Sequence, residues 1–288
     1  MDSDLTLLHP KDFPPLLREI PGPPKQLYLR GRLPSSDHKW LAVVGSRAMT
    51  PYGRQACRHL IAGLRGYPIV IVSGLAYGVD AEAHKSALES GLTTVAVPGS
   101  GLDWNTLYPR ANVGLAREIL KAGGALISEF KPDQKAADYT FPQRNRIMAG
   151  ISHATLIIEA KEKSGSLITA KLVTEYNREL LVVPGSIFSN ESKGTHQFLR
   201  LGATPITAPE DILIALGIAK REGPLSLSDL RDDLSDEELR VFEIIRSPVS
   251  RDELIGALQL PITDANVLLS TMEIKGLIVE ELGVVRVR

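Results

Sequence analysis

Four short runs in this chain are apolar at nearly every position and end in a small-residue turn: WLAVVGSR from Trp40, PIVIVSG from Pro68, TTVAVPG from Thr93 and LLVVPG from Leu180. A strand with one wet face alternates apolar and polar residues, whereas a uniformly apolar strand is covered on both faces. Between these runs lie segments with helical spacing and helix punctuation. TPYGRQACRHLIAGLRG opens with Thr50 as a cap and Pro51 at the first helical position. GVDAEAHKSALESG closes at Gly91, and NVGLAREILKAGG stops at a glycine pair. ALISEF and ATLIIEA add two more strands, and SLITAKLVTEYNREL is the helix before the last one. This alternation predicts an α/β fold over residues 40–218, an extended Rossmann-like doubly wound parallel sheet with helices on both faces.

The flanks read differently. Residues 1–39 are Pro-rich, lack sustained periodicity, and predict extended segments and turns draped on the main domain. Residues 219–233 are a polar linker. Residues 234–288 hold three short helical patterns, the first capped by Ser235 with an acidic first turn. A terminal hairpin turns at Leu282-Gly283, which predicts a small C-terminal winged-helix domain. A DNA-reading winged helix would carry basic residues on TDANVLLSTMEIKG. That stretch has only Lys275, beside Asp264 and Glu273, so a protein-binding or vestigial module is expected.

Composition narrows the classes. The chain has 288 residues, 43% of them hydrophobic, enough for one large core and a satellite domain. Cys57 is the single cysteine, so no intramolecular disulfide can form, and a small buried hydrophobe in a reducing compartment is expected. No stretch approaches the ~20 apolar residues that span a bilayer, and the start lacks a signal-peptide pattern. The expectation is a soluble cytoplasmic protein. The net charge of −1 conceals an asymmetry: residues 1–222 hold 26 Lys and Arg against 21 Asp and Glu, and residues 223–288 hold 7 against 13. Only the first part suits a polyanion, and its modest excess must be gathered locally.

Glycine turns at the C-terminal ends of parallel strands form a ligand crevice, and helix N-termini there favour anions. Arg47 follows Gly45 and Ser46 directly and precedes the Thr50-Pro51 helix start, a position from which a guanidinium can clamp a phosphate. Ser164, Gly165 and Ser166 stand where ATLIIEA gives way to a helix, an anion nest or a simple serine cap. TFPQRNRIMAG supplies Arg144, Asn145 and Arg146 beside Phe141. Guanidinium groups hold phosphates, an amide can read a base edge and a ring can stack on a base. Taken singly, Phe141 can be core and either arginine structural.

Catalytic signals are weaker. Asp80 and His84 share a helix face at i and i+4, but with no third ligand at a sensible spacing a hydrogen bond bracing the helix is expected. Glu129 and Glu159 end strands and can act as bases or as loop caps. No G-x-G-x-x-G, Walker loop or nucleophile elbow occurs, so no cofactor, metal or catalytic residue is assigned.

The ordered set VVGSR, VSGLAYGVDAEAH, YPRAN, LISEF, FPQRNRIMAG, EAKEKSGSLITA and VVPG resembles the DprA/Smf family, the DNA-processing proteins of natural transformation, over about residues 25–218. The resemblance implies a homodimeric, non-enzymatic protein that binds and protects incoming single-stranded DNA and loads RecA recombinase. It carries the DNA pocket over to Gly45, Ser46, Arg47, Arg144, Asn145, Arg146, Ser164, Gly165 and Ser166. Lys171 is added on charge and position alone. Two departures stand out: only the Pro-rich residues 1–39 precede the sheet, so the helical N-terminal module of many relatives is expected to be missing or truncated, and GLDWNTLYP is longer than the usual spacing, so nothing carries over to residues 104–107. The apolar EDILIALGI at 210–218 is a candidate dimer surface. The alternative reading is a nucleotide-processing enzyme of the Rossmann-like phosphoribohydrolase type, although the Pro-Gly-Gly-x-Gly-Thr segment of those enzymes is absent.

Overall fold

The structure is a computed structural model that describes residues 5–35, 37–162, 165–218, 234–245, 249–275, 277–281 and 283–287. Two compact units divide near residue 220.

In the larger unit a nine-stranded sheet runs in the order β1-β2-β6-β5-β4-β3-β7-β8-β9. Its parallel body comprises β3 (Lys39–Val44), β4 (Ile69–Ser73), β5 (Thr93–Ala96), β6 (Ala125–Ser128), β7 (Ala154–Ile157), β8 (Glu179–Val182) and β9 (Thr204–Pro205). The uniformly apolar runs are explained by burial on both faces. Along β3, Trp40, Ala42 and Val44 enter one core layer while Leu41 and Val43 enter the other. This is the period of two that a strand imposes on its side chains.

Helices α2 (Pro51–Ala62), α3 (Val79–Glu89) and α4 (Val113–Lys121) cover one face, with α8 (Pro209–Ala215) beside α2. On the other face lie α5 (Thr140–Ile151), α6 (Ser166–Glu175) and α7 (Lys193–Arg200). Thr50 caps α2 by accepting from Gly53 N at 3.1 Å, and Cys57 is buried inside that helix. The apolar stretch at 210–218 is spent mostly inside: Ile212, Leu213 and Leu216 are buried, and Ile214 stays exposed.

The N-terminal segment does more than lie over the domain. β1 (Thr6–Leu8) pairs antiparallel with β2 (Leu27–Gly31), and β2 pairs antiparallel with β6. The short helix α1 (Pro15–Arg18) buries Leu17 completely, and Phe13, Ile20, Leu27 and Leu29 join the same core. Prolines at turn positions broke the sequence rhythm without preventing these short pieces from pairing at a sheet edge, where a missing N–H is tolerated.

The smaller unit packs α9 (Asp236–Ile244), α10 (Arg251–Leu258) and α11 (Ile262–Ile274) against a three-stranded sheet in the order β10-β12-β11, formed by Val249–Ser250, Val284–Val287 and Ile278–Glu281. Capping boxes start α9 at Ser235 with Glu238 and α10 at Ser250 with Glu253. Lys275, just past α11, is tied to Glu238 at 2.6 Å, which leaves that helix without a free cation among the described residues. The expected linker at 219–233 lies outside the described residues.

Candidate nucleic-acid interface

The strand order reverses at β3: β4, β5 and β6 follow on one side, β7, β8 and β9 on the other. At such a switch point the two following connections leave in opposite directions and open a crevice at the strands' carboxyl ends. Here it is a cavity of about 500 Å³. Gly45, Ser46, Arg47 and Ala48 line it after β3, Lys161, Gly165 and Thr169 after β7, and Asp80 from α3. α5, the crossover from β6 to β7, contributes Phe141, Arg144, Asn145 and Met148. The FPQRNR segment is therefore part of a helix laid over the crevice.

Two guanidinium groups reach this cavity by different means. Arg47 is exposed, and its Cζ lies 4.7 Å from the centre of the Phe141 ring, a cation–π contact. Phe141 in turn packs against Gly99, where a Cβ would collide with the ring, and its centroid lies 5.9 Å from that of Tyr108. Arg144 is buried at 5% exposure and donates from Nη1 to Val97 O at 2.6 Å. The same nitrogen lies 3.9 Å from Asp80 Oδ2, and Gly74 is the residue whose missing side chain makes room for the guanidinium. Arg144 Nε has no partner among the described residues. Burial pushes the Arg144 pKa down, with Asp80 opposing, yet a guanidinium stays charged in proteins. Burial likewise pushes the Asp80 carboxyl up, against the pull of Arg144 and of the Ala76 and Gly74 amides.

The backbone adds donors. The N–H groups of Ser46 and Arg47 donate to no acceptor among the described residues. Among the described residues no side chain caps the N-terminus of α6, which starts beside Gly165 at the cavity. The α2 N-terminus is different: the buried Glu159 carboxylate accepts from Thr50 N at 2.9 Å and also from Thr50 Oγ1. Glu159 is thus a loop cap, and the anion position expected in front of α2 is filled from within the chain.

The remaining expected residues separate. Asn145 is half-buried and lines the cavity. Arg146 does not: it bonds Gly22 O at 2.8 Å and pairs with Glu129, tying the N-terminal segment to the end of β6. One helical step of about 100° carries it off the face that Asn145 shares with the cavity. Lys171 is exposed, lies 3.8 Å from Glu175 on the same helix, and does not line the cavity. Ser164 lies outside the described residues, and of Ser166 only the backbone is described, at the start of α6. The expected Asp80–His84 bond is not formed: Asp80 accepts from Gly74 N and Ala76 N, and His84 Nδ1 bonds Thr94 Oγ1 at 2.7 Å. Backbone donors at the helix start outcompete the neighbour one turn away. Sequence reasoning missed Lys161 and Thr169; both sit inside the EAKEKSGSLITA stretch, and that position was the available signal. No cluster of three metal-ligating side chains occurs among the described residues.

Fold and cavity define a Rossmann-like α/β domain with a crevice at its strand-order switch point, followed in the chain by a winged-helix unit. The chain belongs to the DNA recombination-mediator protein A family, which matches residues 4–217; the DprA winged helix domain matches residues 227–283. Protein Smf of Escherichia coli is 42% identical over 201 residues, which are 70% of this chain and 53% of that protein, so this chain spans about half of its length. DNA processing protein DprA of Streptococcus pneumoniae is 39% identical over 70% of each chain. The crystal structure of the S. pneumoniae protein superposes with a TM-score of 0.67 at 36% identity, covering 73% of this chain and 74% of that one. A Helicobacter pylori DNA processing protein A, described for its single-stranded DNA binding mode, superposes with a TM-score of 0.66 at 32% identity over 75% of this chain and 98% of that one. Among the described residues no helix is long and apolar enough to cross a membrane.

Proposed function

We propose that this chain binds single-stranded DNA in the β3–β7 cavity, without chemistry of its own, and acts as a cytoplasmic homodimer that protects incoming DNA and loads RecA recombinase during natural transformation. The observation that carries the reading is the convergence of Arg47 and Arg144 on one cavity beside the Phe141 ring. Guanidinium groups and free amides hold phosphates, while a ring accepts any base, so little sequence preference follows. The single-stranded DNA binding mode described for the H. pylori relative supports the same choice of ligand. Of the two acids that line the cavity, Asp80 and the exposed Asp138, Asp80 is turned to Gly74 N and Ala76 N and lies beside Arg144 rather than beside a nucleophile, which supports a non-enzymatic role for it.

Anisotropy titrations of labelled single- and double-stranded oligonucleotides at two salt concentrations test the reading. The single strand binds more tightly, and with two or three phosphates held the log–log salt slope is roughly −1.4 to −2. Arg47→Ala lowers affinity at least about tenfold, the scale of one lost charged contact. Unchanged affinity in both Arg47→Ala and Arg144→Lys, or equal binding of duplex, refutes it. Free base released from nucleoside monophosphates would favour the phosphoribohydrolase reading. Sedimentation tests the dimer, and RecA assembly on a coated single strand, with and without this protein, tests loading.

A further inference from the structure

The 103–110 loop carries an aromatic and cationic surface that begins beside the cavity; the role inferred for it rests on the proposed DNA-binding reading. The loop is firmly held. Asp103 N donates to Pro132 O at 3.0 Å, Thr106 N and Leu107 N both donate to Asp103 O at 2.8 Å, and Tyr108 N donates to Ser100 Oγ at 3.1 Å. Leu102 and Leu107 are fully buried and anchor both ends.

On this frame Trp104 gathers cations. Arg30 Cζ lies 5.3 Å and Arg117 Cζ 5.0 Å from its ring centre, and Arg110 donates to its carbonyl oxygen. Arg30 is committed inside, donating to Leu102 O and lying 3.8 Å from Asp103. Arg110 and Arg117 are exposed, and neither is paired with a carboxylate among the described residues. Like charges gathered on one ring repel each other. The ring's negative face offsets part of that cost, and a polyanion would offset more. Side chains already ordered on a ring lose little freedom when a phosphate arrives.

The surface is continuous with the cavity. The Tyr108 ring lies 5.9 Å from Phe141, which carries Arg47, and Arg110 follows two residues after Tyr108. Aromatic faces interleaved with arginines suit an unpaired strand, whose bases are free to stack, better than a duplex. We propose that Tyr108, Arg110 and Arg117 form a second contact segment for single-stranded nucleic acid, continuing the path out of the cavity. Tyr108 is the base platform; Arg110 and Arg117, aligned by Trp104, are the phosphate contacts.

The test compares oligo-dT probes of about four and about 20 nucleotides, within and beyond one small binding site. In Arg110→Gln/Arg117→Gln the short probe binds within about twofold of the parent, which also reports an intact fold. The long probe binds about tenfold more weakly, and its salt slope is shallower by roughly 1.4, at ~0.7 per lost contact. In the unmutated protein, tryptophan emission changes with the long probe and not with the short one, because Trp40 is buried in the core. If the double variant binds both probes as the parent does while Arg47→Ala weakens both, this segment is wrong and the cavity stands. Equal loss of both probes in the double variant also overturns the segment. If neither probe binds the parent protein, the cavity reading fails and this one with it.

Discussion

Arg144 Nη1 lies 3.9 Å from Asp80 Oδ2, both side chains buried, and gives its hydrogen bond to Val97 O instead of to the carboxylate. The pair joins the start of α3 to the crossover helix α5. One guanidinium is thereby fixed at the back of the cavity, and its charge is only partly answered.

Removing the carboxylate leaves that cation buried alone. Asp80→Ala is expected to destabilise the larger unit by about 3–5 kcal/mol, the cost of breaking a buried pair from one side. Urea denaturation at neutral pH measures it; a loss below about 1 kcal/mol would mean that water reaches Arg144 in solution.

Gly78 holds φ at +72°, and a Cβ there would collide with Ser46 O and with the Arg47 backbone. Gly78→Ala is expected to cost on the order of 1–3 kcal/mol from strain and to weaken strand binding by displacing the GSR turn. Thermal unfolding and anisotropy on one preparation read both effects. Normal binding in a destabilised variant would separate the turn from the ligand.

His84 is fully buried, and desolvation pulls its pKa from 6.5 down to about 3. The unfolded chain therefore takes up a proton below pH 6.5 that the folded chain refuses until about pH 3. Stability contributed by this group is present above pH 6.5 and lost as pH falls through that window, at about 1.4 kcal/mol per pH unit. His84→Asn, which keeps a group facing Thr94, should flatten stability against pH between 6.5 and 5 relative to the parent. Parallel slopes from urea midpoints would contradict the assignment.

Cys57 is buried in α2, and desolvation drives its thiol well above the ordinary value. Because the thiolate is the reactive form, a disulfide reagent at pH 8 should label the native protein only at the rate of unfolding, and at once in denaturant. Prompt native labelling would show that α2 opens.

Leu17 belongs to the N-terminal segment yet is fully buried in the main core. Leu17→Ala should cost about 2–5 kcal/mol, as core truncations do. A cost below about 0.5 kcal/mol would mean that the segment detaches in solution.

Much of the larger unit was legible because its strands are buried on both faces. A residue such as Val43 or Ile71 has no alternative to being apolar, and the cap at Thr50 with Pro51 marks a helix start by local chemistry alone. The short strands at residues 6–8 and 27–31 were not legible. Their order comes from pairing with each other and with β6, a partner about a hundred residues away that leaves no local pattern.

Residue order alone was enough to nominate the candidates for the cavity: Arg47 after the first glycine turn, Phe141, Arg144 and Asn145 together on one segment, and Gly165 at a helix start. Which of them meet depends on how the chain packs. Arg144 and Arg146 are two positions apart and look equivalent on paper, but the turn of α5 and the placement of Asp80 and Glu129 send one into the cavity and the other to Gly22. Residue type and local spacing state what a side chain can do. Its direction and its nearest opposite charge are set by contacts distant in sequence, and these determine what it is left free to bind.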